Sequence, residues 1–294
     1  MSLLNIVMIS MIMMSCEKDN PSLVIESNVI HTLPQEPVIK VNRNINNYYQ
    51  SGDTIYQGQG IAYHQGILYR LYNTGYCSVY NVENLLEPEK VGEFALGSHM
   101  DGNHSNAAQI EEDDDGKPII YIAGLKGKCF VERISEQTAT LIQTISIVPM
   151  SIFNNSIKFN MICGDDGYLW LFGEDRSQRK LFFGKARKPS LSEGNVTLKE
   201  EDILEYWSED NYIYSQSVWQ GGMVCRGKLY FVFGTPESRR HITIYDTRTK
   251  RPERDIDLNE YVTEEPEDCV MIGDVILLGI NGGKGYYIIR PELF

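Results

Sequence analysis

The chain has 294 residues, 42% hydrophobic and 11% aromatic, enough to bury a large core in one or two domains. Its 27 basic residues stand against 40 acidic ones, a formal charge of -13. With no basic patch interleaved with aromatics, this balance excludes nucleic acid as a partner and disfavours direct docking on an anionic membrane, since both need a basic face.

Ser2 to Met14 is almost wholly apolar, short for a bilayer span and of the right length for a signal-peptide core. It ends at Met14-Ser15-Cys16-Glu17, a small residue directly before a cysteine. These residues resemble a bacterial lipoprotein signal, although no Lys or Arg precedes the apolar run; an ordinary apolar start to the chain is the other reading. The resemblance implies a signal peptide over residues 1–16 with Cys16 lipidated. It also implies a membrane contact through the lipid anchor alone, at the outer membrane or cell surface of a Gram-negative bacterium, outward or periplasmic. Residues 17–35, with Pro21 and Pro34, then form a flexible tether.

From residue 36 to 294 the chain repeats one pattern. Gln59 to Tyr63, Ile67 to Leu71 and Cys77 to Val82 read as three consecutive strands, separated by His64-Gln65-Gly66 and Asn73-Thr74-Gly75. The order returns four times, with first strands beginning near Asn106, Asn160, Gly222 and Asp268, a spacing that suits propeller blades. Val91–Leu96, Thr140–Val148, Asn195–Leu204 and Asp255–Leu258 are candidate outer strands for the first four copies. The fifth copy has none, whereas the strand-like run Pro37–Val41 precedes the first. An unpaired outer edge would be a template for aggregation, so the N-terminal run is expected to complete the C-terminal blade. The fold predicted is an all-β, five-bladed propeller closed in that way. Within the long insertion from Arg187 to Asn211, Glu200–Trp207 reads as a short helix.

Apart from Cys16, the cysteines are Cys77, Cys129, Cys163, Cys225 and Cys269, an odd number with no CxxC pair, so no metal site is expected. Their places in the repeat predict buried thiols. Of the five histidines, His31 and His64 are expected in solvent and His241 at a surface or inter-strand position. His99 and His104 fall in Gly97–Asn106, the densest run of ligand-type residues in the chain.

Innermost strands of a propeller run parallel about the axis, so their first residues collect at one mouth of the channel. Gln59, His104, Asn106, Lys158, Asn160, Gln220 and Glu267 occupy these starts, beside Gly60, Gly221 and Asp268. Together they offer amides, an imidazole, an ammonium and carboxylates, a mixture suited to a polar small molecule, glycan or peptide, with Lys158 placed for an anionic group. A water-filled channel would need polar linings as well. Tyr48, Tyr49, Tyr56, Trp207, Tyr212, Tyr214 and Trp219 lie near the entrances of the first and fourth blades, where sugar rings favour aromatic faces; Trp219, beside Gln220, is the one assigned to the rim. Tyr69, Tyr121, Trp170 and Tyr230 read as core.

No catalytic residue is assigned and no cofactor is implied. Glycoside hydrolysis needs two carboxylates, and Gln, Asn, Asn and Gln stand where a run of acids would be required at successive strand starts. Asn281–Gly285 lacks the ending of a phosphate-binding loop and reads as a hairpin turn. Gln59-Gly60-Ile61-Ala62-Tyr63-His64-Gln65-Gly66-Ile67-Leu68-Tyr69, with Asn73-Thr74-Gly75-Tyr76, resembles the first blade of the plant and bacterial type of glutamine cyclotransferase. The likeness covers about thirty residues and stops at the second blade, where His104-Ser105-Asn106 replaces that family's carboxylate-bearing entrance; it implies architecture, not activity. The function expected is a binding or scaffold module in the cell envelope, with a further envelope protein as partner. A hydrolase, lyase or cyclotransferase acting on a glycan or peptide end is the alternative.

Overall fold

Short runs of β-branched and aromatic residues, cut by Gly, Asn and Asp, form antiparallel hairpins. A computed structural model describes residues 33–153, 158–164, 167–175, 177–210 and 218–294, without the side chains of Asn44 and residues 158–163. β1 (Val38–Asn46) is followed by β2 (Tyr48–Ser51), β3 (Thr54–His64), β4 (Ile67–Tyr72), β5 (Tyr76–Asn81) and β6 (Glu89–Ala95), and β2 to β6 pair in order as the first blade. The second blade holds β7 (Ala108–Glu112), β8 (Pro118–Ala123), β9 (Lys128–Ile134) and β10 (Ala139–Ile147). β11 (Lys158–Cys163), β12 (Tyr168–Asp175) and β13 (Lys180–Arg187) begin the third; after β14 (Val196–Leu198), β15 (Ile203–Asp210) completes it. The fourth is β16 (Trp219–Cys225), β17 (Lys228–Phe233), β18 (His241–Asp246) and β19 (Arg251–Asp257). The last is β20 (Glu265–Ile272), β21 (Val275–Asn281) and β22 (Lys284–Ile289), with β1 as its outer strand.

The innermost strands β3, β7, β11, β16 and β20 lie side by side around one axis, which makes the chain a five-bladed β-propeller. Apolar side chains from facing blades form a cluster at each of the five junctions, so the core is a ring rather than a single centre. Tyr69, Tyr121, Trp170 and Tyr230 are all buried in it.

Closure occurs as the unpaired edge demanded. β1 runs antiparallel to β22, with Val38 opposite Ile289, Ile39 opposite Ile288, Lys40 opposite Tyr287 and Val41 opposite Tyr286. Val41 and Ile45 are buried between the last and first blades. A Cβ on Gly285 would lie 1.5 Å from the Val41 carbonyl oxygen, so glycine is needed where the strands cross, and its φ of +90° adds a second reason. The Lys40 ammonium contacts Glu264, and Tyr287 Oη (2.6 Å) and Thr263 Oγ1 (3.0 Å) donate to the same carboxylate. Partial burial alone would raise the Glu264 carboxyl, but these bonds hold it down to about 2, below its ordinary 4.5. Its folded-state pKa is depressed, so its contribution to stability is full above about pH 5 and is lost as pH falls toward 2. Denaturant melts between pH 7 and 2 should therefore show Glu264→Gln flattening that acid limb; an unchanged limb would remove this carboxylate from the account.

Several local expectations change. Asn195–Leu204 does not form the outer strand of the third blade. Ile203–Asp210 does, while Val196–Leu198 pairs in parallel with Ile145–Ile147 as an extra outer strand of the second blade and buries Leu198. Glu200–Trp207 is not a helix: a single 3-10 turn at Glu200–Asp202 runs straight into β15. Cys77, Cys129 and Cys269 are buried thiols, but Cys225 is half-exposed, and the Cys163 side chain lies outside the described residues. His64 is largely covered beside Glu112 rather than solvated. Leu33, assigned to the tether, is buried, and Arg290 donates to the Leu33 and Pro34 carbonyls. Cys16, His31 and the rest of residues 1–32 lie outside the described residues.

Candidate functional site at the channel mouth

β20 carries the groups that organise the axis. Asp268 is fully buried, and its two oxygens accept from backbone N–H groups on three other inner strands: Ile61 at 3.1 Å, Ala108 at 3.0 Å and Gly222 at 2.9 Å. Burial pushes this carboxyl up and the N–H donors pull it the other way. One side chain thus ties together the first, second, fourth and fifth blades. Its oxygens are spent on these backbone donors, so the strand-start position read from the sequence as a mouth residue is a structural clamp. Close packing around it needs small residues, since a Cβ on Gly221 would come within 2.6 Å of both the Asn106 and Glu267 carbonyl oxygens.

Arg70, on β4, is the second buried charge. Its Nη1 donates to the Gln59 (2.6 Å) and Gly60 (3.1 Å) carbonyls, and Nη2 reaches the Ile280 carbonyl. Burial lowers the guanidinium pKa, while nearby Tyr72, Glu267 and Asp268 favour its charged form. The sequence reading missed Arg70; its only signal was a charge inside an apolar second strand.

Side chains from separate blades meet at the strand starts. Gln59 Nε2 donates to Glu267 Oε1 at 3.4 Å. Gln220 Nε2 donates to Glu265 Oε1 (2.8 Å) and to the Gly234 carbonyl (2.9 Å), and Asn281 Nδ2 reaches Glu265 Oε2 at 3.2 Å. Glu265 and Asn281 were not predicted. β20 starts two residues before Glu267, earlier than expected, and Asn281 ends the second strand, which returns to the same mouth. Burial pushes the Glu267 carboxyl well above the ordinary range, with Glu265 adding to the effect and Arg70 and Asn281 opposing it. The amide oxygens of Asn106 and Asn281 are shielded and accept no hydrogen bond from any described residue.

His104 is half-buried, and burial lowers its pKa, so the imidazole is neutral at pH 7. Gly97, Ser98, His99, Asn103 and Ser105 of its ligand-rich loop are spent internally. Glu132 accepts from Gly97 N (2.7 Å), Ser98 N (3.0 Å) and Ser98 Oγ; Asn103 holds Ser98 and Ser105; His99 Nδ1 meets the Thr74 carbonyl at 2.8 Å. Residue types that bind ligands also cap loops. Trp219 is half-buried against Phe172, 6.5 Å between ring centres, with its indole N–H shielded and unpaired among the described residues. Lys158 and Asn160 begin β11, but their side chains lie outside the described residues, as do Tyr212 and Tyr214. Among the described residues no three His, Cys, Asp or Glu groups are placed to hold a metal ion.

No family model and no curated protein matches the chain. Solved structures similar to it include an exo-β-1,3-galactanase from Clostridium thermocellum, at 13% identity and a TM-score of 0.48 over 86% of this chain and 62% of that one. A GH43 β-1,3-galactosidase with galactodeoxynojirimycin is similar at 8% identity and 0.47, over 85% and 94% of the two chains. A catalytically inactive virginiamycin B lyase from Staphylococcus aureus with quinupristin is similar at 10% and 0.39, over 82% and 98%. The chain thus spans less than two thirds of the galactanase's length. At such identities and scores the likeness says nothing of activity, and the propeller rests on the five sheets themselves.

Proposed function

We propose that the chain is a propeller tethered through a lipid on Cys16 to the outer envelope of a Gram-negative bacterium, where it binds a small polar molecule, glycan or peptide end at the channel mouth. The observation that carries this reading is the meeting of Gln59 with Glu267, and of Gln220 and Asn281 with Glu265, from separate strands at one end of the axis. Beside them the buried amide oxygens of Asn106 and Asn281 have no donor among the described residues. A ligand that binds only the folded chain raises its melting temperature; at a hundredfold excess over Kd the gain is about 2.7 kcal/mol. A thermal-shift panel of saccharides, amino acids and short peptides therefore tests the site without a guess about chemistry. A hit should weaken about tenfold in His104→Ala and in Glu267→Gln, the worth of roughly one hydrogen bond. A panel with no hit, or a hit indifferent to both substitutions, would move binding away from the mouth.

A second reading rests on one feature. Glu267, whose carboxyl is pushed up by burial and by Glu265 beside it, is the group placed to act as a general acid on a glycan or peptide end. Catalysis would fall on the order of 100-fold or more in Glu267→Gln while binding persisted. Turnover assays on any compound that raises the melting temperature separate the two readings.

A further inference from the structure

β2 is an addition to the four strands of its blade, and the hairpin it makes with the first half of β3 has two faces that do different things. Tyr49 and Tyr56, paired across the hairpin, form one face. They pack on Tyr76 at ring-centre distances of 4.1 and 4.7 Å, and His99 covers Tyr76 from another side at 4.3 Å. Strand alternation sends Tyr48, Gln50 and Ile55 to the opposite face. There Tyr48 is 42% exposed and Ile55 is 61% exposed. Both border an open groove of about 680 Å³ that wraps the hairpin edge, so that Tyr49 also lines it, with Gln50, and it is walled by Asn46 and Lys284 of the last blade and by Glu93 of β6.

We propose that this groove is a carbohydrate site, separate from the channel mouth, in which the apolar face of a neutral pyranose lies on Tyr48 and Ile55. Its volume falls in the range of small-ligand pockets, ~300–1,000 Å³. The chemistry around the apolar floor is mixed: two amides that donate and accept, one carboxylate that only accepts and one ammonium that only donates. Sugar hydroxyls donate and accept, so neighbouring hydroxyls on one ring can satisfy all of these groups. An anionic ligand would meet Glu93 and a cationic one Lys284. The tyrosine stack beneath fixes the hairpin in advance, so little ordering is needed on binding. None of the channel-mouth residues lines the groove.

The test is isothermal titration and saturation-transfer NMR of the full chain with laminarihexaose, cellohexaose and maltohexaose. At least one should bind, and Tyr48→Ala and Ile55→Ala should each weaken it about tenfold, while Tyr48→Phe keeps the stacking face and most of the affinity. Both residues are exposed, so a melting temperature near that of the parent will show that the loss is local. Failure of all three oligosaccharides to bind at roughly 10 mM, a concentration that would reveal even millimolar affinity, overturns the proposal. So does binding that survives Tyr48→Ala; if that binding disappears in Glu267→Gln, the sugar belongs to the channel mouth instead.

Discussion

Asp268→Ala is expected to lower the unfolding free energy by about 3–5 kcal/mol, a large share of the ~5–15 kcal/mol typical of folded chains. The substitution strands the N–H groups of Ile61, Ala108 and Gly222 without an acceptor. Each buried donor left unpaired costs about 1–3 kcal/mol, and relief from burying a charge offsets part of the sum. Asp268→Asn keeps the volume but turns one acceptor oxygen into a donor facing donors, so it should lose most of the same stability. Urea melts at pH 7 check both. A wild-type midpoint in Asp268→Asn would mean that shape, not acceptor capacity, holds the blades together.

Removing residues 33–46 should have the largest effect of all. It takes β1 from the last blade and with it the buried side chains of Leu33, Val41 and Ile45. At about 1.5–3 kcal/mol for each buried aliphatic side chain, these three alone approach the whole net stability of a typical domain. It also exposes the full edge of β22, with Tyr286 and Ile288 behind it. The truncated chain is expected to lose its near-ultraviolet dichroism and its cooperative melt, and to associate in size-exclusion chromatography. A peptide spanning Leu33–Asn46, added in excess, should restore the signal by pairing with the open edge. A truncated chain that melts like the parent would show that the ring does not depend on this strand.

Most of the architecture was legible because it is written locally. Ile67 to Leu71 or Lys228 to Phe233 declare themselves by composition and by the turn residues around them, and the unmatched outer edge of the fifth copy pointed to Pro37–Val41. What failed was sheet membership. Val196–Leu198 and Ile203–Asp210 are both strand-like, and nothing within either says that the first joins the second blade and the other the third. The β2 hairpin was missed because Tyr48–Ser51 is short and has too few aliphatic residues to stand out. In the site, Gln59, Gln220 and Glu267 could be picked from their places at strand starts. Glu265 and Asn281 could not, since their proximity depends on where β20 begins and on which end β21 finishes. His99 and the loop around it misled for the opposite reason, as capping and ligation draw on the same side chains.

The strand that closes the ring has a kinetic consequence. β1 comes early in the chain, yet its partner β22 lies near the other end, with all the intervening blades between them. During synthesis the first blade can form soon after its residues appear, but β1 must wait, unpaired, until the final hairpin arrives. The contact that completes the fold is thus among the most distant in sequence, and such contacts set slow folding rates. The waiting strand, rich in valine and isoleucine, is the part of the nascent chain with the most need of a holding partner.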